Sequence, residues 1–152
     1  MLKRDIVKLS KQLGFDLIGF CNPEVEESAK STIKSWISHS YHADMKYMKD
    51  TIDIRADPKK LLPDVKTVIV FGLSYGRNYK IKVGKNKIYG QVARYSINRD
   101  YHNTYRSIFK RFIKQSIPIF EKYGYATVKM IGGADSKPIP ERYYAVKAGL
   151  GF

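Results

Sequence analysis

Acid–base chemistry is best sought in GGADSKPIPER, residues 132–142. Asp135 lies among small residues directly after a predicted strand, where functional groups held by a scaffold are often found. A carboxyl in that position can act as a general acid if burial raises its pKa. Asp135 and Ser136 can equally make a turn or cap the helix that follows, and spacing alone favours that plainer reading. Glu141 and Arg142 open that helix, whose free N–H groups could receive an anion. Upstream, the run Arg99, Asp100, Tyr101, His102 reads as an aspartate cap on a long helix with aromatic residues packed beside it.

Metal and cofactor motifs are sparse. His39 and His42 stand three apart, but no carboxylate or cysteine converges on them, so they read as surface or core histidines rather than a zinc site. One cysteine, Cys21, allows neither an internal disulfide nor an all-cysteine metal site. No G-x-G-x-x-G follows a strand, and neither a P-loop nor H-E-x-x-H is present.

The elements that must position these residues follow from periodicity. Leu2, Ile6, Leu9 and Leu13 fall on one helical face and Gly14 stops it, predicting a helix over 3–13. FDLIGFC, 15–21, reads as a buried strand. Asn22-Pro23 then looks like a cap and first residue of a helix ending near His39–His42. A short helical piece around DMKYMK and a second cap-like pair, Asp57-Pro58, precede the β-branched strand at 67–74. Residues 76–89 read as a hairpin or extended loop, GQVARYSI as a short strand or extended segment, and 127–132 as a last strand. Between the last two lies a helix of about 20 residues that Pro118 should kink or interrupt. The order predicts one α+β domain over 1–152, a mixed sheet flanked by helices.

Composition adds a partner. Lys and Arg outnumber Asp and Glu by 28 to 14, a formal charge of +14, which attracts a polyanion. Nucleic acid is the candidate, the alternative being a solvated compositional bias toward Lys, Ile and Tyr. Lys80, Lys82, Lys85 and Lys87 form the densest cluster, and Arg106, Lys110 and Lys114 form a stripe along the long helix. No apolar run is long enough for a membrane span, so the expected location is the cytoplasm.

Several stretches together resemble one family. LGFDLIGFCNPE, HADMKYMKD, RADPKKLLPDVKTVIVFGLSY, VARYSINRDYH and ADSKPIPERYYAVKAGLGF occur in the order found in the N-terminal domain of the cobalamin-dependent epoxyqueuosine reductases. DYH followed by D-S-x-P-x-x-E-R and A-x-K-A-G-L-G is the most specific part. The resemblance implies a cobalamin-binding fold similar to that of reductive dehalogenases. It also implies reduction of epoxyqueuosine to queuosine in a tRNA anticodon loop. Asp135 would be the proton donor, with Tyr101, His102, Glu141 and Arg142 lining the cofactor and substrate site. A lysine at 137, pointed inward, would lower the Asp135 pKa.

The family also carries a ferredoxin-like module with 4Fe-4S clusters, which need sets of cysteine thiolates. Cys21 alone cannot supply them. The resemblance therefore implies a chain ending at the joint with that module, a truncated or split member without unaided turnover unless a separate iron–sulfur polypeptide assists. The alternative is a non-catalytic RNA-binding module or a vestigial fragment.

Overall fold

The computed structural model describes residues 1–75, 90, 92–97 and 100–151, and every structural statement below concerns those residues. The whole segment at 76–89 with its lysine cluster at 80–87, Gln91, Asn98, Arg99 and Phe152 lie outside them.

Helix α1, Leu2–Gln12, presents Ile6 and Leu9 to the interior, followed by Leu13. Gly14, at φ +95°, reverses the chain where a side chain would be strained. Phe15 then enters the core and leads into β1, Leu17–Cys21. β1 pairs antiparallel with β2, Val68–Gly72, in the register Leu17↔Gly72 to Cys21↔Val68. Between the strands run α2 (Glu27–Ser38), α3 (Lys46–Asp50), α4 (Ile52–Ala56) and a 3-10 turn at Pro58–Lys60, where the Asp57 side chain accepts the Lys59 N–H.

The second half is dominated by α5, Tyr101–Lys122, 22 residues long. Asp100 caps it, accepting the His102 N–H at 2.9 Å. Phe112 turns inward and closes the core against α1 and the sheet, with Phe71 stacked on Phe15 at 4.3 Å and edge-on to Phe112 at 4.8 Å. A short α6, Glu141–Lys147, completes the described chain, anchored by the buried Tyr144, whose hydroxyl donates to the Pro23 carbonyl at 2.6 Å.

Four expectations are corrected. The sheet is not mixed: it is a two-stranded antiparallel ribbon within an α-rich chain. The Asn22-Pro23 pair does not start a helix. Asn22 Oδ1 accepts the Glu24 N–H, an Asx-type turn, and the Pro23 carbonyl is committed to Tyr144, so α2 begins only at Glu27. Arg94–Ser96 is a 3-10 turn rather than a strand.

The run at 127–132 joins no sheet. From 126 to 137 no backbone N–H donates to a described backbone carbonyl, and the edge of β2 away from β1 has no partner among the described residues. Pro118, meanwhile, does not interrupt α5. No helix is long and apolar enough to cross a membrane.

Candidate active site

β2, the N-terminal half of α5, and the extended run after Tyr125 bound an open cleft of about 1500 Å³. Tyr101, Tyr105 and Phe109 recur at steps of four on α5, so one helical face contributes all three to its wall. Tyr75 and Tyr95 extend that wall. Phe109 continues the row as a tilted neighbour of Tyr105 at 6.0 Å, and the other ring contacts run edge-to-face, from Tyr75 to Tyr95 (6.3 Å), Tyr95 to Tyr101 (6.1 Å) and Tyr101 to Tyr105 (6.4 Å). This is the geometry favoured by aromatic quadrupoles.

Asp135 stands at the polar end of the cleft, in a loop folded tightly on itself. A Cβ added at Gly133 would come within 2.5 Å of Ser136 Oγ and 3.1 Å of Lys137 Cγ, so a larger residue there would displace the Ser136 and Lys137 side chains. Asp135 itself has φ +52°, a left-handed conformation uncommon outside glycine. Two bonds from different helices hold it. The Tyr101 hydroxyl donates to Asp135 Oδ2 at 2.7 Å, and the Asp135 N–H donates to Glu141 Oε1 at 2.8 Å.

The electrostatics follow from these contacts. The hydrogen bond to the Asp135 carboxylate pushes the Tyr101 phenol up to about 12, because ionising it would break that bond and set two anions together. Burial raises the half-buried Glu141, and the charge of Asp135 adds to the rise. The Asp135 amide and the Arg55 guanidinium oppose it. Tyr105 is raised by burial first and then by the charges of Glu141, Asp135 and Asp16. Burial likewise raises the Cys21 thiol.

Of the residues picked out from sequence, Asp135, Tyr101 and Glu141 are brought into one hydrogen-bonded group. His102 stacks on Tyr101 at 4.1 Å, and its Nδ1 lies 2.9 Å from Asp100 Oδ1, so it serves the helix cap and is not among the residues lining the cleft. Arg142 is exposed. Lys137 is exposed too, and no ion pair joins it to Asp135 among the described residues. Arg106, Lys110 and Lys114 are all exposed, one position on from the aromatic set and so about 100° round the helix from it. Lys80, Lys82, Lys85 and Lys87 lie outside the described residues.

His39 Nδ1 sits 2.8 Å from its own helix's Ser35 carbonyl, while His42 packs beside Trp36. No group of three or more described His, Cys, Asp or Glu could hold a metal ion. Sequence reasoning passed over Arg55 and, apart from Tyr101, the tyrosine wall. The i, i+4, i+8 spacing of Tyr101, Tyr105 and Phe109 was the available signal.

Comparison with known proteins bears on all of this. Residues 55–127 match the family model described as "Epoxyqueuosine reductase QueG, DUF1730". The epoxyqueuosine reductase of Cyclobacterium marinum is 32% identical over 148 residues, 97% of this chain and 45% of that protein. A selenomethionine-labelled epoxyqueuosine reductase superposes with a TM-score of 0.77 at 25% identity, covering 99% of this chain and 39% of that one. A structure of epoxyqueuosine reductase with an epoxyqueuosine-modified tRNA-Tyr stem loop gives a TM-score of 0.77 at 24% identity, with the same coverage. The Bacillus subtilis enzyme, solved with its catalytic aspartate loop swung out of the active site, gives 0.71 at 24% identity, covering 99% of this chain and 38% of that one. The chain thus spans less than half the length of these relatives, and over nearly all of its own length it is similar to the epoxyqueuosine reductases.

Proposed function

We propose that this chain is the cobalamin-binding, proton-donating portion of an epoxyqueuosine reductase acting on the wobble nucleoside of a tRNA anticodon loop. The observation that carries the reading is Asp135, held by Tyr101 and Glu141 at the polar end of a cleft of about 1500 Å³. That volume exceeds the roughly 300–1,000 Å³ of ordinary small-molecule pockets, so it suits a bulky corrinoid beside a nucleoside. The apolar and aromatic lining suits the faces of both. Tyr101 would flank the cofactor, with His102 stacked on it, and Arg142 stands beside the same loop.

Removing an epoxide oxygen as water takes two electrons and two protons. A bound low-valent corrinoid supplies the reducing chemistry. The chain's own residues handle the proton. Tyr101 occupies Oδ2 of Asp135, so the proton to be given would reside on Oδ1, and once that proton has left, the Asp135 carboxylate holds Tyr101 as a phenol by raising its ionisation to about 12. Asp135 must be recharged with a proton after each transfer, and its exposed position allows exchange with water. The electrons would come through 4Fe-4S clusters on sequence not present here, a cysteine set that Cys21 cannot replace. A tRNA substrate sets the reaction in the cytoplasm. The exposed stripe Arg106, Lys110 and Lys114 would meet its phosphates, joined by Lys80, Lys82, Lys85 and Lys87.

Titrating the purified chain with cob(II)alamin and following the visible spectrum tests the reading. Saturable spectral change is expected, retained in kind but altered in form by Asp135→Ala. No saturable change refutes it. A second reading, a basic RNA-binding module without catalysis, is favoured by the exposed stripe on α5 alone. It predicts salt-sensitive binding of an anticodon stem-loop RNA that is indifferent to cobalamin.

A further inference from the structure

We propose that Glu141 is a positioning residue: its carboxylate latches the Asp135 loop inward through the Asp135 backbone amide, rather than lining the cofactor. The proposal rests on the reading of Asp135 as proton donor, but the geometry it concerns can be measured without cofactor or turnover.

Among the described residues the loop has few other polar contacts. No backbone N–H from 126 to 137 donates to a described carbonyl, so the segment lacks the ladder that holds a strand in place. Asp135 adopts φ +52°, a left-handed conformation that aspartate tolerates better than most side chains and that its contacts here can hold. Those contacts are two. Glu141 Oε1 takes the backbone N–H and Tyr101 takes the side chain. The tight packing of Gly133 on Ser136 and Lys137 makes the turn a compact unit, so freeing one end moves the carboxyl with it.

Glu141 is a fixed post. It is the first residue of α6, which is pinned through buried Tyr144 to the Pro23 carbonyl. The helix's Lys147 ammonium donates to the Glu24 carbonyl, and Tyr143 accepts the Glu26 N–H at 2.9 Å. Half-buried, the Glu141 carboxylate requires compensation, and the Asp135 amide with nearby Arg55 provides it. Glu141 thus acts on the chemistry through Asp135. With the acceptor gone, the amide loses its partner, the left-handed turn relaxes, and Asp135 leaves Tyr101.

The readout is the Tyr101 phenol, followed by NMR in protein carrying 13Cζ-tyrosine, with Tyr101→Phe to assign the signal. At pH 11 a phenol ionising near 12 is about one tenth phenolate, whereas one ionising near 10 is about nine tenths. Wild type is expected to show the first value, and Glu141→Ala the second, matching Asp135→Ala. Glu141→Gln keeps a carbonyl acceptor and should restore the wild-type value. A Tyr101 signal in Glu141→Ala that stays at one tenth, or a Gln variant as fully ionised as Ala, overturns the latch.

Should the Ala variant fail to fold, wild type alone decides. Its Asp135 amide resonance should shift with the ionisation of Glu141 and exchange slowly, and an amide blind to that titration overturns the proposal. Absence of cobalamin binding, by contrast, would remove the functional reading and leave these results untouched.

Discussion

Gly19 lies in the middle of β1, where its missing side chain lets residues 148–150 lie against the sheet. A Cβ built there would sit 2.8 Å from Ala148 Cβ, 2.8 Å from the Ala148 carbonyl oxygen and 2.9 Å from Leu150 Cγ. Carbon atoms rest about 3.5–4.0 Å apart, so Gly19→Ala demands a shift of roughly 0.7–1 Å in a segment held from both sides. Overpacking of this kind costs about 1–3 kcal/mol, a large share of a stability of about 5–15 kcal/mol. At about 2–4 °C per kcal/mol, Tm should fall by roughly 2–12 °C.

The single tryptophan, Trp36, reports urea unfolding by fluorescence, with circular dichroism as a second probe. Adding Ala148→Gly removes one of the three clashes but not the carbonyl. The double variant should therefore recover part of the loss, with a coupling of at least about 0.5 kcal/mol. A Gly19→Ala protein within about 0.5 kcal/mol of wild type, or strictly additive variants, would refute the close approach as the reason for glycine.

Acid stability offers a second test. Asp5 accepts the Tyr123 hydroxyl at 3.0 Å and lies 3.3 Å from the Lys122 ammonium, and these hold its carboxyl below the ordinary value of 3.8. A depressed carboxyl contributes stability above its unfolded value and loses it as pH falls through the folded one. The urea midpoint of wild type should therefore drop more steeply below about pH 4 than that of Tyr123→Phe, and parallel curves would contradict the assignment. For RNA, neutralising Arg106, Lys110 or Lys114 with glutamine should each reduce the slope of log affinity against log salt by about 1, measured by anisotropy with an anticodon stem loop. A slope unmoved by all three substitutions would mean that the stripe does not meet phosphate.

Local signals made much of the fold legible. The apolar face of Leu2, Ile6 and Leu9, the β-branched run inside β2 and the aspartate before Tyr101 each act within a turn or two of chain, and each forms the expected element. The misreadings fall where a distant partner decides. Asn22-Pro23 carries a helix-start signature, but Tyr144, 121 positions away, claims the Pro23 carbonyl. The run at 127–132 has strand composition without a described neighbour to pair with, and composition cannot announce a missing partner. In the site, the Asp135 loop was visible from its small residues. Its bond to Tyr101 spans 34 positions and was not, while that to Glu141 spans only six but runs from a backbone amide, which no residue pattern marks.

The unpaired edge of β2 and the extended run facing the same cleft have a colloidal consequence. Such an edge is a template on which another chain can build, and natural proteins often guard it with like charge. Here the guard is global: a net charge of +14 keeps copies apart while the Debye length is about 10 Å or more. At 1 M salt that length contracts to about 3 Å and the repulsion no longer reaches. High salt is thus the condition under which strand edges unpaired among the described residues of two copies can first meet.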